Sequence, residues 1–122
     1  MIRFLYGEND YALSRATARL RDAFNEEHGD QSVSIHEGDQ LELRDLPQLL
    51  QGQNLFADTK LTIIRGASSN KPLWEGLSDF LGGAGDIDVL FVEGKPDKRT
   101  KTFKWLQKHA EVRECKLLDE RE

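Results

Sequence analysis

Two runs in the chain, KLTIIR (60–65) and IDVLFVE (87–93), are apolar with almost no alternation. A strand with one wet face alternates, whereas a strand apolar at successive positions needs cover on both faces. That single feature requires a sheet with layers packed above and below it. Three further β-rich runs are available to join that sheet: IRFLY (2–6), SVSIH (32–36) and VRECKL (112–117). Helical periodicity lies between them. Leu13, Ala16, Leu20, Ala23 and Phe24 form one stripe, with Asn9 or Asp10 placed to cap it and the glycine of HGD (28–30) to end it.

Leu43, Leu46, Leu49 and Leu50 mark a shorter helix with Pro47 in its first turn. Leu73, Leu77, Phe80 and Leu81 mark a third, stopped by GGAG (82–85), and Phe103, Leu106 and Ala110 a fourth, begun at Asp97. The order β-α-β-α-β-α-β-α-β predicts an α/β fold: a five-stranded, mainly parallel sheet with right-handed crossovers, flanked by helices.

At 122 residues the chain fits one domain, 1–122, with a moderate core. Its net charge of -5 disfavours the whole surface as a nucleic-acid binder but leaves local basic patches open. Cys115 is the single cysteine, which excludes an internal disulfide and suggests a reducing compartment. The start MIRFLYGEND has no basic stretch followed by an apolar run, and no run of 18 apolar residues occurs. A cytoplasmic protein without membrane contact is expected.

In such folds ligands bind beyond the carboxyl ends of the strands. After the first strand, GENDYALS (7–14) lies on the spacing G-x-x-x-x-G-K-[ST] of a phosphate-binding loop. Gly7 and Ser14 match, but Ala12 replaces the second glycine and Leu13 the lysine. Glu8 and Asp10 add negative charge where an anion would sit, a repulsion of roughly 1 kcal/mol each at a half-exposed site. A phosphate-loop ATPase also needs an acid after an apolar strand to hold Mg²⁺. Arg65 ends the third strand and Glu93, the one candidate, ends the fourth, where a surface or capping role is expected. A divergent nucleotide hydrolase is therefore the weaker alternative, and no cofactor is expected. Paired acids of a phosphorylation receiver fail at Arg65, and a dinucleotide fingerprint has only Gly7. His28, His36 and His109 lie on separate elements without metal-ligand spacing, and Cys115 reads as a small core residue.

Two surface features remain. Residues 97–109, DKRTKTFKWLQKH, carry Lys98, Arg99, Lys101, Lys104 and Lys108. They form either a solvated helix face or a basic surface toward DNA or an acidic partner, which would make a DNA-binding scaffold a second alternative. Trp105 falls off the apolar stripe and is expected to be partly exposed. In LLQGQNLFADTKL (49–61) the neighbours Leu55 and Phe56 cannot both point inward from a short helix or turn. They either seal one sheet edge or plug a partner's pocket.

The segments FLYGENDYAL, LLQGQNLFADTKLTIIRGAS and DKRTKTFKWLQKHAEVRECKLL, in that order and spacing, resemble the N-terminal domain of the delta subunit of the bacterial DNA polymerase III clamp loader. The resemblance runs over essentially the whole chain. It implies an AAA+-like domain, of the P-loop NTPase type, without a working nucleotide site. It implies a non-catalytic accessory subunit of a DNA-directed DNA polymerase that binds and helps open the sliding clamp, the beta subunit. The clamp-contacting element then falls on Gln53, Asn54, Leu55 and Phe56. Gly52 stands where many clamp-binding peptides have glutamine, and Gln53 where an apolar residue is common in the family. Family members also carry a lid and a collar domain through which other loader subunits assemble, so the chain is expected to be a piece of a longer protein.

Overall fold

The computed structural model describes residues 1–29, 32–51 and 60–117. Five strands, β1 (Ile2–Tyr6), β2 (Val33–Glu37), β3 (Leu61–Arg65), β4 (Val89–Glu93) and β5 (Glu111–Glu114), form one sheet in the order β2-β3-β4-β1-β5. Every pairing is parallel. The helices are α1 (Asp10–His28), α2 (Lys71–Gly82) and α3 (Lys101–His109). No helix among the described residues is long and apolar enough to cross a membrane.

The central strands β1, β3 and β4 are covered on both sides, as the apolar runs of β3 and β4 require. Phe4, Tyr6, Ile64, Val89 and Phe91 pack with Leu73, Trp74 and Leu77 of α2 and with Phe103 and Leu106 of α3. The intervening Leu5, Ile63 and Leu90 pack with Ala12, Leu13 and Ala16 of α1 on the other face. This alternation is the period-2 geometry of a strand, with each face now claimed by a different helix. Phe4, Tyr6 and Phe103 form an aromatic cluster with centroids 5.0–5.6 Å apart, Phe103 meeting both rings edge-on. Such pairs contribute about 0.5–1.5 kcal/mol each beyond the area they bury.

Asn9 caps α1 by accepting from the Ala12 N–H, and Gly29 ends it at φ 105°. α3 begins at Lys101 on the Thr100 cap rather than at Asp97. Asp97 instead folds back, its carboxylate accepting from the Arg99 N–H at 2.9 Å. The stretch expected as a second short helix is broken up. It becomes a 3-10 turn at Leu43–Asp45 and a π-helical turn at Pro47–Gln51, preceded by a separate 3-10 turn at Gly38–Gln40. Pro47 stands first in that turn, where its missing N–H does no harm. Leu46 and Leu50 are buried in the core, while Leu43 lies exposed against Gly76.

Among the described residues one buried polar side chain is unsatisfied. The buried Ser78 hydroxyl on α2 has no hydrogen-bond partner. A helical serine ordinarily bonds the carbonyl four residues back, here that of Trp74. That carbonyl already accepts from the Thr102 hydroxyl of α3. Replacing an orphan buried hydroxyl with a methyl removes its desolvation penalty and adds helix propensity. Ser78→Ala is expected to raise unfolding free energy by about 0.5–1.5 kcal/mol in urea titration, with an unchanged slope.

Candidate functional site

The carboxyl ends of β1, β4 and β5 converge on Gly7. Its φ of +141° is a conformation that side chains avoid. A Cβ there would lie 2.1 Å from the Cys115 carbonyl oxygen, so the chain leaving β5 passes directly against the first-strand turn. Two backbone donors of that turn are taken. Gly7 N–H donates to the Glu93 carbonyl at 3.1 Å and Asn9 N–H to the Cys115 carbonyl at 3.1 Å. Cys115 N–H returns a bond to the Tyr6 carbonyl at 2.7 Å, and the Asn9 side-chain amide reaches the Lys116 carbonyl at 3.0 Å. A phosphate loop works by aiming such N–H groups at an anion. Here the Gly7 and Asn9 amides serve β4 and the chain after β5 instead.

Glu93, the one acid placed to hold a metal, is a cap and not a surface residue. Its side chain is fully buried, and its two oxygens accept from the Ala67 and Ser68 N–H groups, each at 2.9 Å. Those bonds fix the turn Ala67–Ser69 that leads from β3 into α2. Burial pushes the Glu93 carboxyl above its ordinary value near 4.5, opposed by the hydrogen bonds from Ser68 and Ala67. Among the described residues no group of three His, Cys, Asp or Glu is arranged to hold a metal.

A cleft of about 460 Å³ remains above this junction, with Tyr6 and Gly7 at its base and Lys95, Pro96 and Leu117 among its walls. Four of its charges are paired across the opening, Lys95 with Glu8 at 3.2 Å and Lys98 with Glu114 at 3.7 Å, while Lys116, also in its lining, has no ion pair among the described residues. Arg65, at the end of β3, is likewise held by Glu37 of β2, its Nε donating at 2.9 Å.

The basic residues of 97–109 are only partly available. Lys101, Lys104 and Lys108 fall on the outer face of α3, opposite buried Phe103 and Leu106. Lys101 pairs with Asp79 of α2 at 2.8 Å, Lys98 with Glu114, and Arg99 with Asp97 at 3.0 Å. The Arg99 guanidinium and N–H hold the Asp97 carboxyl down at about 2. Lys104 and Lys108 alone of the five have no ion pair among the described residues. Trp105 is half-buried and stacks on His109 at a centroid distance of 4.4 Å.

Gln53, Asn54, Leu55 and Phe56 lie outside the described residues. Their attachment points are described. Leu50 on one side and Leu61 on the other are buried core residues, and the Leu61 N–H donates to the Ser32 carbonyl at 2.8 Å. Leu61 opens β3 at the amino end of the parallel sheet, opposite to Gly7 and Glu93. The sequence reading missed the closure of the first-strand turn by Cys115. No local signal carries it, because the two residues meet only through the strand order.

The sequence profile of the family described as DNA polymerase III, delta subunit, matches residues 4–116. Among solved structures, the fold is similar to the Bacillus subtilis DNA clamp loader delta protein (YqeN), with a TM-score of 0.68 and 21% identity. That likeness covers 94% of this chain and 38% of the other, so this chain spans well under half of that protein's length. No curated protein matches the sequence.

The Glu93 bonds yield a test with a definite sign. Glutamine keeps one acceptor and turns an NH₂ donor toward the second backbone N–H, so Glu93→Gln is expected to cost about 1–3 kcal/mol at neutral pH. Because the folded carboxyl titrates above its unfolded value, the folded state binds the extra proton as pH falls toward 4.5. The wild type therefore gains stability over that window and the variant does not. Urea unfolding should show the gap widening from pH 7 down to 4.5; a gap that narrows would contradict the assignment.

Proposed function

This chain belongs to the DNA polymerase III delta subunit family, and from that premise we propose that it is the part of a clamp-loader delta subunit that grips the sliding clamp. The role is that of a non-catalytic accessory to a DNA-directed DNA polymerase, working in the cytoplasm. Leu55 and Phe56 insert into an apolar pocket of the clamp, with Gln53 and Asn54 beside them. The α/β body holds the pair at a fixed angle, so that binding energy can be turned against the closed ring. The remaining loader subunits assemble through regions beyond this domain.

What supports the non-catalytic part is the turn after β1. Its Gly7 and Asn9 amides bond to β4 and to the chain after β5, and Glu93 is committed to the Ala67 and Ser68 amides. What supports the clamp-binding part is the placement of 52–59 between two core anchors, Leu50 and Leu61. Short connections between buried anchors limit the conformations a binding segment must give up, which favours affinity. The basic surface of Lys98, Arg99, Lys101, Lys104 and Lys108 is a secondary reading, toward DNA or an acidic partner within the loader. The ion pairs narrow it to Lys104 and Lys108.

Titration of this chain against a purified beta clamp tests the main reading. Two central anchors on a small interface correspond to a Kd on the order of micromolar. Leu55→Ala and Phe56→Ala are each expected to weaken binding by about 2 kcal/mol or more, roughly thirtyfold, with unchanged circular dichroism. Equal affinity of both variants and the wild type would remove the pair from the interface.

A further inference from the structure

Helix α2 departs from helix preference at two residues, and both departures face the same stretch of chain. Asn70 stands at its N-cap, where an asparagine ordinarily turns its side-chain oxygen onto the helix's own N–H groups, yet it makes no such bond. Its side-chain amide donates instead to the Leu41 carbonyl at 2.8 Å and to the Gly38 carbonyl at 3.0 Å. Gly76 sits in the middle of the helix, where glycine is the poorest choice after proline. A Cβ there would lie 2.5 Å from Leu43 Cδ1, so the missing side chain is the notch that receives Leu43. A third close approach joins the same two parts. Gly38 is buried, and a Cβ on it would lie 2.5 Å from the Ala67 Cα, in the turn that leads into α2.

The stability of the fold does not ask for these departures. The connection from β2 to β3 is already anchored in the core by Leu46 and Leu50. Asn70 is half-buried and Leu43 exposed, so the ties at 38–43 add little burial to that anchorage. The helix itself would gain from an alanine at 76 and from a cap on the Leu73 N–H, the donor within reach once Pro72 offers none. Local rules are broken in this way where the placement of a segment outweighs the stability lost. The segment placed here is 38–51, which passes through the turn at Pro47–Gln51 directly into 52–59.

We propose that α2 is the brace of the clamp-binding segment: Asn70, Gly76 and Gly38 fix the path of 38–51 on the domain and so set the point from which Leu55 and Phe56 are presented. The inference rests on the reading of 52–59 given above, and it makes Asn70 and Gly76 positioning residues that act through that pair. The brace continues inward. Glu93 holds the Ala67 and Ser68 amides, and Ala67 is the residue against which Gly38 rests. One turn thereby ties the connection to the end of the central strand β4. A connection held at several points gives up fewer arrangements on binding, and it passes load to the sheet instead of swinging under it.

The test uses two substitutions that spare α2. Asn70→Asp keeps a good cap residue but offers no donor to the two carbonyls, and Gly76→Ala raises helix propensity while driving Leu43 from its notch. In the whole chain each should weaken binding to a purified beta clamp about fivefold, and the two together further. Amide exchange at Leu41, Leu46 and Leu50 should quicken in both variants while that of Leu77 and Leu81 stays at the wild-type rate. Val112→Ala, at a half-buried position on the opposite edge of the sheet, lowers global stability and should bind the clamp as the wild type does. Undiminished clamp binding by Asn70→Asp and Gly76→Ala, unchanged exchange at 41–50, or an equal loss in Val112→Ala would each overturn the brace, while Leu55→Ala and Phe56→Ala still weaken binding. If those last two variants bind like the wild type, the reading of 52–59 falls and the brace falls with it.

Discussion

The backbone contact between Gly7 and Cys115 is the constraint on which the rest of this molecule depends. One residue without a side chain lets the end of β5 pass within bonding distance of the first-strand turn. A reciprocal set of hydrogen bonds, Asn9 to Cys115 and Cys115 to Tyr6, then locks that approach. These N–H groups are the resource a phosphate cradle would use, so the same geometry that joins β5 to β1 also withdraws two of its donors. The Gly7 and Asn9 donors are spent within the fold itself.

Glu93 repeats the pattern one strand away. A carboxylate at the end of β4 is placed where a metal-holding acid belongs, yet it turns to two backbone amides and fixes the entry to α2. Of the nearby cations, Lys95 and Lys98 are paired with Glu8 and Glu114. Taken together, the carboxyl ends of the strands have become a structural junction. The segment proposed to meet the clamp joins the sheet at the amino end of β3, where nothing of that junction interferes. Rigidity at one end and recognition at the other is the division that the proposed grip on a ring would need.

The core was legible in the amino-acid order because its signals are local. Uninterrupted apolar runs foretold β3 and β4, and the stripe from Leu13 to Phe24 foretold α1, since burial on two faces or on one stripe leaves a periodic trace. The second helix was misread because Leu43, Leu46, Leu49 and Leu50 fit a helical stripe while Pro47 cuts the ladder between them, leaving short turns. Asp97 looked like a cap, but Thr100 takes that role and Asp97 is held by Arg99. The basic run from Lys98 to Lys108 reads from sequence as either a solvated helix face or a basic surface. Its compensation by Asp79 and Glu114 comes from other elements and has no local trace.

Amide hydrogen exchange at three positions addresses the central claim most directly. If the junction is as tightly bonded as its geometry requires, the Gly7, Asn9 and Cys115 amides exchange only through global unfolding, as slowly as those of β1 and β4, and Mg-ATP leaves them unchanged. Exchange at the rate of an open loop, or added protection of Gly7 and Asn9 on adding Mg-ATP, would mean that the turn after β1 is still a working anion cradle.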